Sequence, residues 1–228
     1  MSLTTDSISL SVAEQGFAII SGILDQSQCK ELIAELGPVT GAGRRGILQM
    51  PGIAEMACSD RLLSLVRPHV GAEPRPVRGI YFDKTPETNW MVAWHQDLTI
   101  AVRRQIDVAG FGPWSMKEGA PHVQPPVELL EQMVTVRLHL DVCDEANGAL
   151  QVIPGSHSLG RLSPEAIQRL RDEGLATTCP VSAGGALLMR PLVLHSSDRS
   201  SAQGHRRVIH IEYAGCDLPG GLYWSEAP

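Results

Sequence analysis

Trp90-Met91-Val92-Ala93-Trp94-His95-Gln96-Asp97 is a short run of aromatic and apolar residues that ends in a histidine and an aspartate two positions apart. Its composition is that of a β-strand, and Phe82-Asp83-Lys84-Thr85-Pro86 opens a turn before it. Residues i and i+2 of a strand project from the same face, so His95 and Asp97 are expected to share a strand face and reach one point. Two imidazoles and one carboxylate on one face of an octahedron hold iron(II) in non-haem oxygenases and leave three positions open for a chelating cosubstrate and dioxygen. His195 is the distant histidine that completes the set. His95, Asp97 and His195 are therefore the candidate catalytic and metal-ligating residues.

Outward from this segment the second half of the chain reads as strands. Residues 77–82, 90–95, 134–142, 149–153 and 206–213 alternate or are rich in β-branched residues, with Gly, Pro or Asn at their ends. Two inserts interrupt them. Residues 107–133 carry Gly110-Phe111-Gly112-Pro113-Trp114 and Pro125-Pro126 ahead of a short helix over 127–133, and residues 163–173 form a helix with Ser163 as N-cap, Pro164 at N1 and Gly174 at the stop. The first half is mixed. Residues 17–20 read as a strand, and Asp25 with Gln28 makes a capping box for a helix that turns Leu32, Ile33 and Leu36 to one face. A second helix starts at Ser59 and buries Leu62, Leu63 and Val66. Gly41-Ala42-Gly43-Arg44-Arg45-Gly46 matches G-x-G-x-x-G, but Pro38 and Pro51 flank it where a strand and a helix should stand, so it is read as a mobile loop. The fold class expected is mainly β with flanking helices: a double-stranded β-helix, the cupin-like jelly roll, as a single domain over 1–228.

Composition narrows the function classes. With 43% hydrophobic residues among 228, the chain can bury a substantial core, and a net charge of −6 is the wrong sign for a nucleic-acid surface. The opening Met-Ser-Leu-Thr-Thr-Asp has no basic or apolar leader character, and no stretch approaches the roughly 20 apolar residues of a membrane span. A cytoplasmic location and a small-molecule partner are expected. The five cysteines are scattered without a C-x-x-C pair and read as reduced thiols.

Together with the His95/Asp97/His195 set, the Phe82–Pro86 turn and Asp144-Glu-Ala-Asn-Gly148-Ala-Leu-Gln-Val-Ile-Pro-Gly-Ser-His157 give the sequence its character. It resembles the phytanoyl-CoA dioxygenase family of iron(II)/2-oxoglutarate oxygenases, from Gly16-Phe17-Ala18-Ile19-Ile20 to Arg206-Arg207-Val208-Ile209-His210-Ile211-Glu212-Tyr213. The resemblance implies Fe(II) and 2-oxoglutarate as cofactors, dioxygen as cosubstrate, and a dioxygenase that hydroxylates a substrate with release of succinate and CO2. The family places the arginine for the far carboxylate of 2-oxoglutarate eleven residues after the distal histidine, and a hydroxyl two residues after it; Arg206 and Ser197 stand there. A buried carboxylate favours the fork geometry of a guanidinium. Arg207 is the rival, and strand alternation sends it to the opposite face.

Lys84 stands at the family's turn lysine and is read either as reaching an anion in the cavity or as a solvated turn residue. Arg137 departs from the family, which commonly has an aromatic residue there. A cavity-facing arginine needs an anion, and cosubstrate, substrate or Asp141 could supply it. On that ground a small acidic metabolite is the expected substrate. Arg44, Arg45 and residues 107–126 are expected to shape its site, since specificity lies in loops. His139 and His210 are read as ordinary strand histidines and His157 as part of a structural turn, while His122 and Gln124 are read as substrate contacts or loop caps. Two alternatives remain: a cupin-like metal-binding protein without turnover, and a halogenase, disfavoured because Asp97 fills the position a halide would take.

Overall fold

The structure, a computed structural model, describes residues 5–71 and 73–226. Residues 1–4, part of the stretch read as lacking a leader, lie outside the described residues. Helix α1 (Thr5–Gln15) leads into strand β1 (Phe17–Ile20) and helix α2 (Gln26–Leu36), where Asp25 and Gln28 form the expected capping box. Strand β2 (Gly43–Arg45), helix α3 (Pro51–Ala57) and helix α4 (Asp60–Val70) follow, and the Ser59 side chain caps α4. Next come β3 (Arg75–Lys84), β4 (Val92–His95), β5 (Ile100–Ala101), β6 (Trp114–Lys117), β7 (Ala120–Val123) and the short helix α5 (Val127–Leu130). The chain closes with β8 (Met133–His139), β9 (Leu150–Ile153), helix α6 (Pro164–Asp172), β10 (Thr177–Cys179), β11 (Ala186–Met189), β12 (Leu194–Ser197) and β13 (Arg206–Ala214).

The strands form a large sheet ordered β1-β11-β8-β13-β3-β2, a smaller one ordered β10-β9-β12-β4, and a three-stranded sheet β5-β7-β6. All pairings are antiparallel, and the architecture is the double-stranded β-helix. In the large sheet one face meets the helices. Val134, Val136, Leu138, Tyr81, Ile209, Ile211 and Tyr213 pack there with Val12, Leu32, Leu36, Ile53, Leu62 and Val66. The alternate residues of the same strands, Arg78, Ile80, Phe82, Arg137, Arg206, His210 and Glu212, line a cavity on the other face.

Sequence expectation and structure differ at definite places. The supposed mobile loop at 41–46 contains β2, which pairs Gly43 with Phe82 and Arg45 with Ile80. Gly43 is glycine because a Cβ there would collide with the Tyr81 carbonyl as β2 closes on β3. The strand expected over 134–142 ends at His139, and the helix expected over 127–133 ends at Leu130. Helices α1 and α3 and the β6–β7 hairpin were not expected. Among the described residues no helix is long and apolar enough to cross a membrane, and the cysteines are free.

The Tyr213 hydroxyl, fully buried, donates to the Ala57 carbonyl at 2.9 Å and ties the helical layer to β13. Tyr213→Phe should therefore cost about 1–2 kcal/mol by stranding that acceptor. The expected observation is a lower urea midpoint at unchanged slope, and an unchanged midpoint would mean that packing alone holds the helices.

Candidate functional site

His95 and His195 are direct cross-strand partners in the β4–β12 pair, and their rings lie 4.2 Å apart, centroid to centroid. Each ring is fixed by its own strand: Nδ1 of His95 is 2.8 Å from the Ala93 carbonyl, and Nδ1 of His195 is 2.9 Å from that of Val193. A carbonyl can only accept, so both Nδ1 atoms carry the proton and both Nε2 atoms offer a lone pair to the cavity. Burial pushes the His195 pKa down to about 4, which keeps the ring in the neutral form a ligand needs.

Asp97 does not share their strand, because β4 ends at His95. The intervening Gln96 makes the bend. Its side-chain amide, buried, donates to the carbonyls of Gly160 at 2.8 Å and Leu192 at 2.7 Å, and its oxygen accepts from the Leu162 amide at 2.8 Å. The Asp97 amide then donates to the Pro191 carbonyl at 2.9 Å. These bonds turn the carboxylate toward the histidines: Oδ1 lies 3.7 Å from His95 Nε2, and Oδ2 lies 3.8 Å from His195 Nε2. Burial alone would raise the carboxyl, but the imidazoles of His195, His210 and His95 outweigh it and hold the group below the usual carboxylate range.

One ligand atom from each of His95, Asp97 and His195 lies within 4.8 Å of the others, and Asp97 Oδ2 is buried without a hydrogen-bond partner. Two bare imidazole nitrogens and an unsatisfied carboxylate oxygen converging on one point fit a divalent cation, and this donor set suits iron(II).

The three donors open into a cavity of about 310 Å³. At one end stands Arg206, buried, its guanidinium donating to the Gly148 carbonyl and to Ser197 Oγ at 3.4 Å. Its Nε has no partner, and among the described residues no carboxylate pairs with it. Arg207 points the other way and is gripped by Asp141 through two side-chain bonds of 2.8 and 2.7 Å. Ser197 donates to the Gly148 carbonyl at 2.8 Å. Behind Ser197 lies Lys84, which is 1% exposed, so the solvated-turn reading fails. It donates to Ser197 Oγ at 3.2 Å and the Asp198 carbonyl at 2.6 Å, and it stacks over Trp90. Burial, then the charge of Arg206, pushes it down to about 8.

Arg137 also faces the cavity but does not pair with Asp141, which lies beyond the end of β8 and is taken by Arg207. It donates to His210 Nδ1 at 2.9 Å and lies over the Phe82 ring. An arginine can only donate, so the His210 proton sits on Nε2, facing Glu212 Oε1 at 3.5 Å. Glu212 in turn holds Arg78 at 2.8 Å. Burial, then Arg206, lowers Arg137 to about 10.

Of the remaining candidates only Arg45 reaches the cavity. His157 meets the Ala13 carbonyl, His122 meets the Ala120 carbonyl, and Gln124 bonds Gly112 and Pro113 through its backbone. Arg44 donates to the Leu36 carbonyl, whereas Arg45 reaches the cavity mouth and pairs with Glu118 at 2.8 Å. The sequence reading missed His210, Glu212, Arg78, Gln96, Thr99 and Lys117. The parity of β13 already put His210 and Glu212 on the Arg206 face, but no local signal marked Lys117.

No curated protein matches the sequence. EvdMO1 superposes with a TM-score of 0.70 at 19% identity over 95% of this chain and 50% of its own, so the chain spans about half the length of that protein. HygX from Streptomyces hygroscopicus, solved with nickel and 2-oxoglutarate bound, superposes at 0.66 with 22% identity over 94% of this chain and 88% of its own. AviO1 from Streptomyces viridochromogenes Tue57 gives 0.68 at 20% identity and covers 100% of both chains. The sequence profile that matches residues 12–208 is that of phytanoyl-CoA dioxygenase, and the chain belongs to this family of iron(II)- and 2-oxoglutarate-dependent oxygenases.

Proposed function

We propose that the protein is a hydroxylase that oxidises a small acidic metabolite with 2-oxoglutarate and dioxygen, releasing succinate and CO2. The observation that carries this reading is the pairing of the converged His95/Asp97/His195 donors with an uncompensated, buried Arg206 in the same cavity. Iron(II) bound there with 2-oxoglutarate supplies the oxidising power for an unactivated C–H bond. The chain's own residues bind, orient and shield. His95, Asp97 and His195 hold the metal, with both imidazoles pre-aligned by Ala93 and Val193. Arg206 takes the far carboxylate of 2-oxoglutarate, and the Ser197 hydroxyl joins it by turning its one proton away from the Gly148 carbonyl; Lys84 supports Ser197 from behind, and Arg137 adds charge beside Arg206. Asp97 occupies the place a halide would need, so the carbon is expected to receive hydroxyl.

The acidic character of the substrate rests on charge. Arg45, Arg78, Lys117, Arg137 and Arg206 line the cavity against Asp97 and Glu212. A surplus of cations lining a pocket favours an anionic occupant.

His95→Ala, Asp97→Ala and His195→Ala should each abolish stoichiometric iron(II) binding and 2-oxoglutarate consumption while the circular dichroism spectrum stays native, since these groups act as ligands and not as packing. A fully active His195→Ala protein would overturn the assignment, and metal and 2-oxoglutarate binding without succinate formation would make the protein a cupin-like binder.

Arg206→Leu should raise the 2-oxoglutarate concentration required by more than about tenfold, since a desolvated charge-assisted bond contributes on the order of 1.5–3 kcal/mol. Arg207→Leu should leave that requirement near wild type and lower thermal stability instead. Reversed effects in the same titration would mean that the inward face of β13 is wrongly drawn.

A further inference from the structure

We propose that Lys117, presented by β6 and held by Thr99, is a second anion-binding point in the cavity, and that it receives the carboxylate of the substrate at the end opposite Arg206. This rests on the reading of the protein as a 2-oxoglutarate-dependent oxygenase.

The placement follows from register. On β13 Arg206 and Glu212 are six residues apart, roughly 20 Å along an extended strand. The neighbouring β3 sets Lys84 opposite Arg206 and Arg78 opposite Glu212. The cavity therefore has a Lys84–Arg206 end and an Arg78–Glu212 end. Lys117 belongs to the second: it lines the cavity, its neighbour Glu118 is tied to Arg45 at 2.8 Å, and β2 sets Arg45 opposite Ile80, two residues from Arg78 on β3.

Partnering singles Lys117 out. At its end of the cavity Arg78 is committed to Glu212 and Arg45 to Glu118, each at 2.8 Å. The Lys117 ammonium has no carboxylate among the described residues and donates to the Thr99 hydroxyl at 3.1 Å. A hydroxyl that accepts from lysine keeps its own O–H free to donate. The pair thus offers a carboxylate two donors, one charged and one neutral, which suits its two oxygens. The hairpin is built to present them: Met116 is 63% exposed, while the adjacent Lys117 turns into the cavity, and Glu118 at the tip is tied to Arg45 on β2.

Charge counting gives the same result. Bound iron(II), Asp97 and doubly charged 2-oxoglutarate together carry one net negative charge, which Arg206 cancels. Arg137 and Lys117 remain unmatched, and Lys117 stands at the end that the cosubstrate leaves free.

The test uses nickel(II)-loaded full-length protein, which binds without turnover. Calorimetry first measures 2-oxoglutarate binding, then titrates a panel of small carboxylic acids, each beside its primary amide, into the 2-oxoglutarate complex. The wild type should bind at least one acid in preference to its amide. Lys117→Met should weaken that acid by about tenfold or more and leave the amide and 2-oxoglutarate unaffected; Lys117→Arg should restore the preference, and Thr99→Val should weaken it less. A wild type that binds 2-oxoglutarate yet prefers no acid, or a folded Lys117→Met that keeps the preference, overturns the subsite. A wild type that takes up neither nickel nor 2-oxoglutarate overturns the oxygenase reading beneath it.

Discussion

Strand β13 is bonded on both sides, to β3 and to β8, and must therefore satisfy two environments at once. Ile209, Ile211 and Tyr213 enter the helical layer, and Arg206, His210 and Glu212 enter the cavity. A shift of one residue would drive three polar groups into the helices and three large apolar side chains into the site. The apolar set thus fixes the register, and the register fixes where Arg206 stands. Packing and chemistry are one constraint here, because the residues that hold the helices leave the others no alternative face.

The second sheet contributes the donors by a different device. Its histidines face each other across β4 and β12, and each is oriented by a carbonyl of its own strand. Little reorganisation is then required when a cation arrives, since tautomer and ring plane are already set. Across the cavity the cations are less settled. Arg78 and Glu212 satisfy each other, but Arg206 and Arg137 each retain a buried Nε without a partner. Buried charge without a counter-ion is costly, so these two guanidinium groups favour an anionic partner in the cavity.

Much of this was legible in the sequence because strand alternation and caps are local signals. The Asp25/Gln28 box, the Ser163 cap and the helix start at Ser59 follow from local pattern, and the inward face of Arg206 from strand alternation together with the family resemblance. Asp97 was expected beside His95 on a strand, and it reaches the same point by another route, through a bend that Gln96 holds with bonds to Gly160, Leu162 and Leu192. Those partners lie more than sixty residues away and leave no local trace. The partner of Arg137 was hidden likewise, because the end of β8 at His139 removes Asp141 from the alternation. The β6–β7 hairpin was obscured by its glycines and prolines, which read as loop although two of them sit within a paired ladder or beside it.

The molecule carries a net charge of −6, yet its cavity wall is predominantly cationic. An approaching anion therefore meets two fields of opposite sign, a repulsive one at long range and an attractive one at the mouth. Dissolved ions weaken the first more than the second, because screening acts over about 8 Å of open solvent at physiological ionic strength and acts less on charges recessed in a pocket. Moderate salt should thus quicken the capture of an anionic ligand while leaving its residence nearly untouched, the reverse of proteins whose outer surface steers their ligand inward.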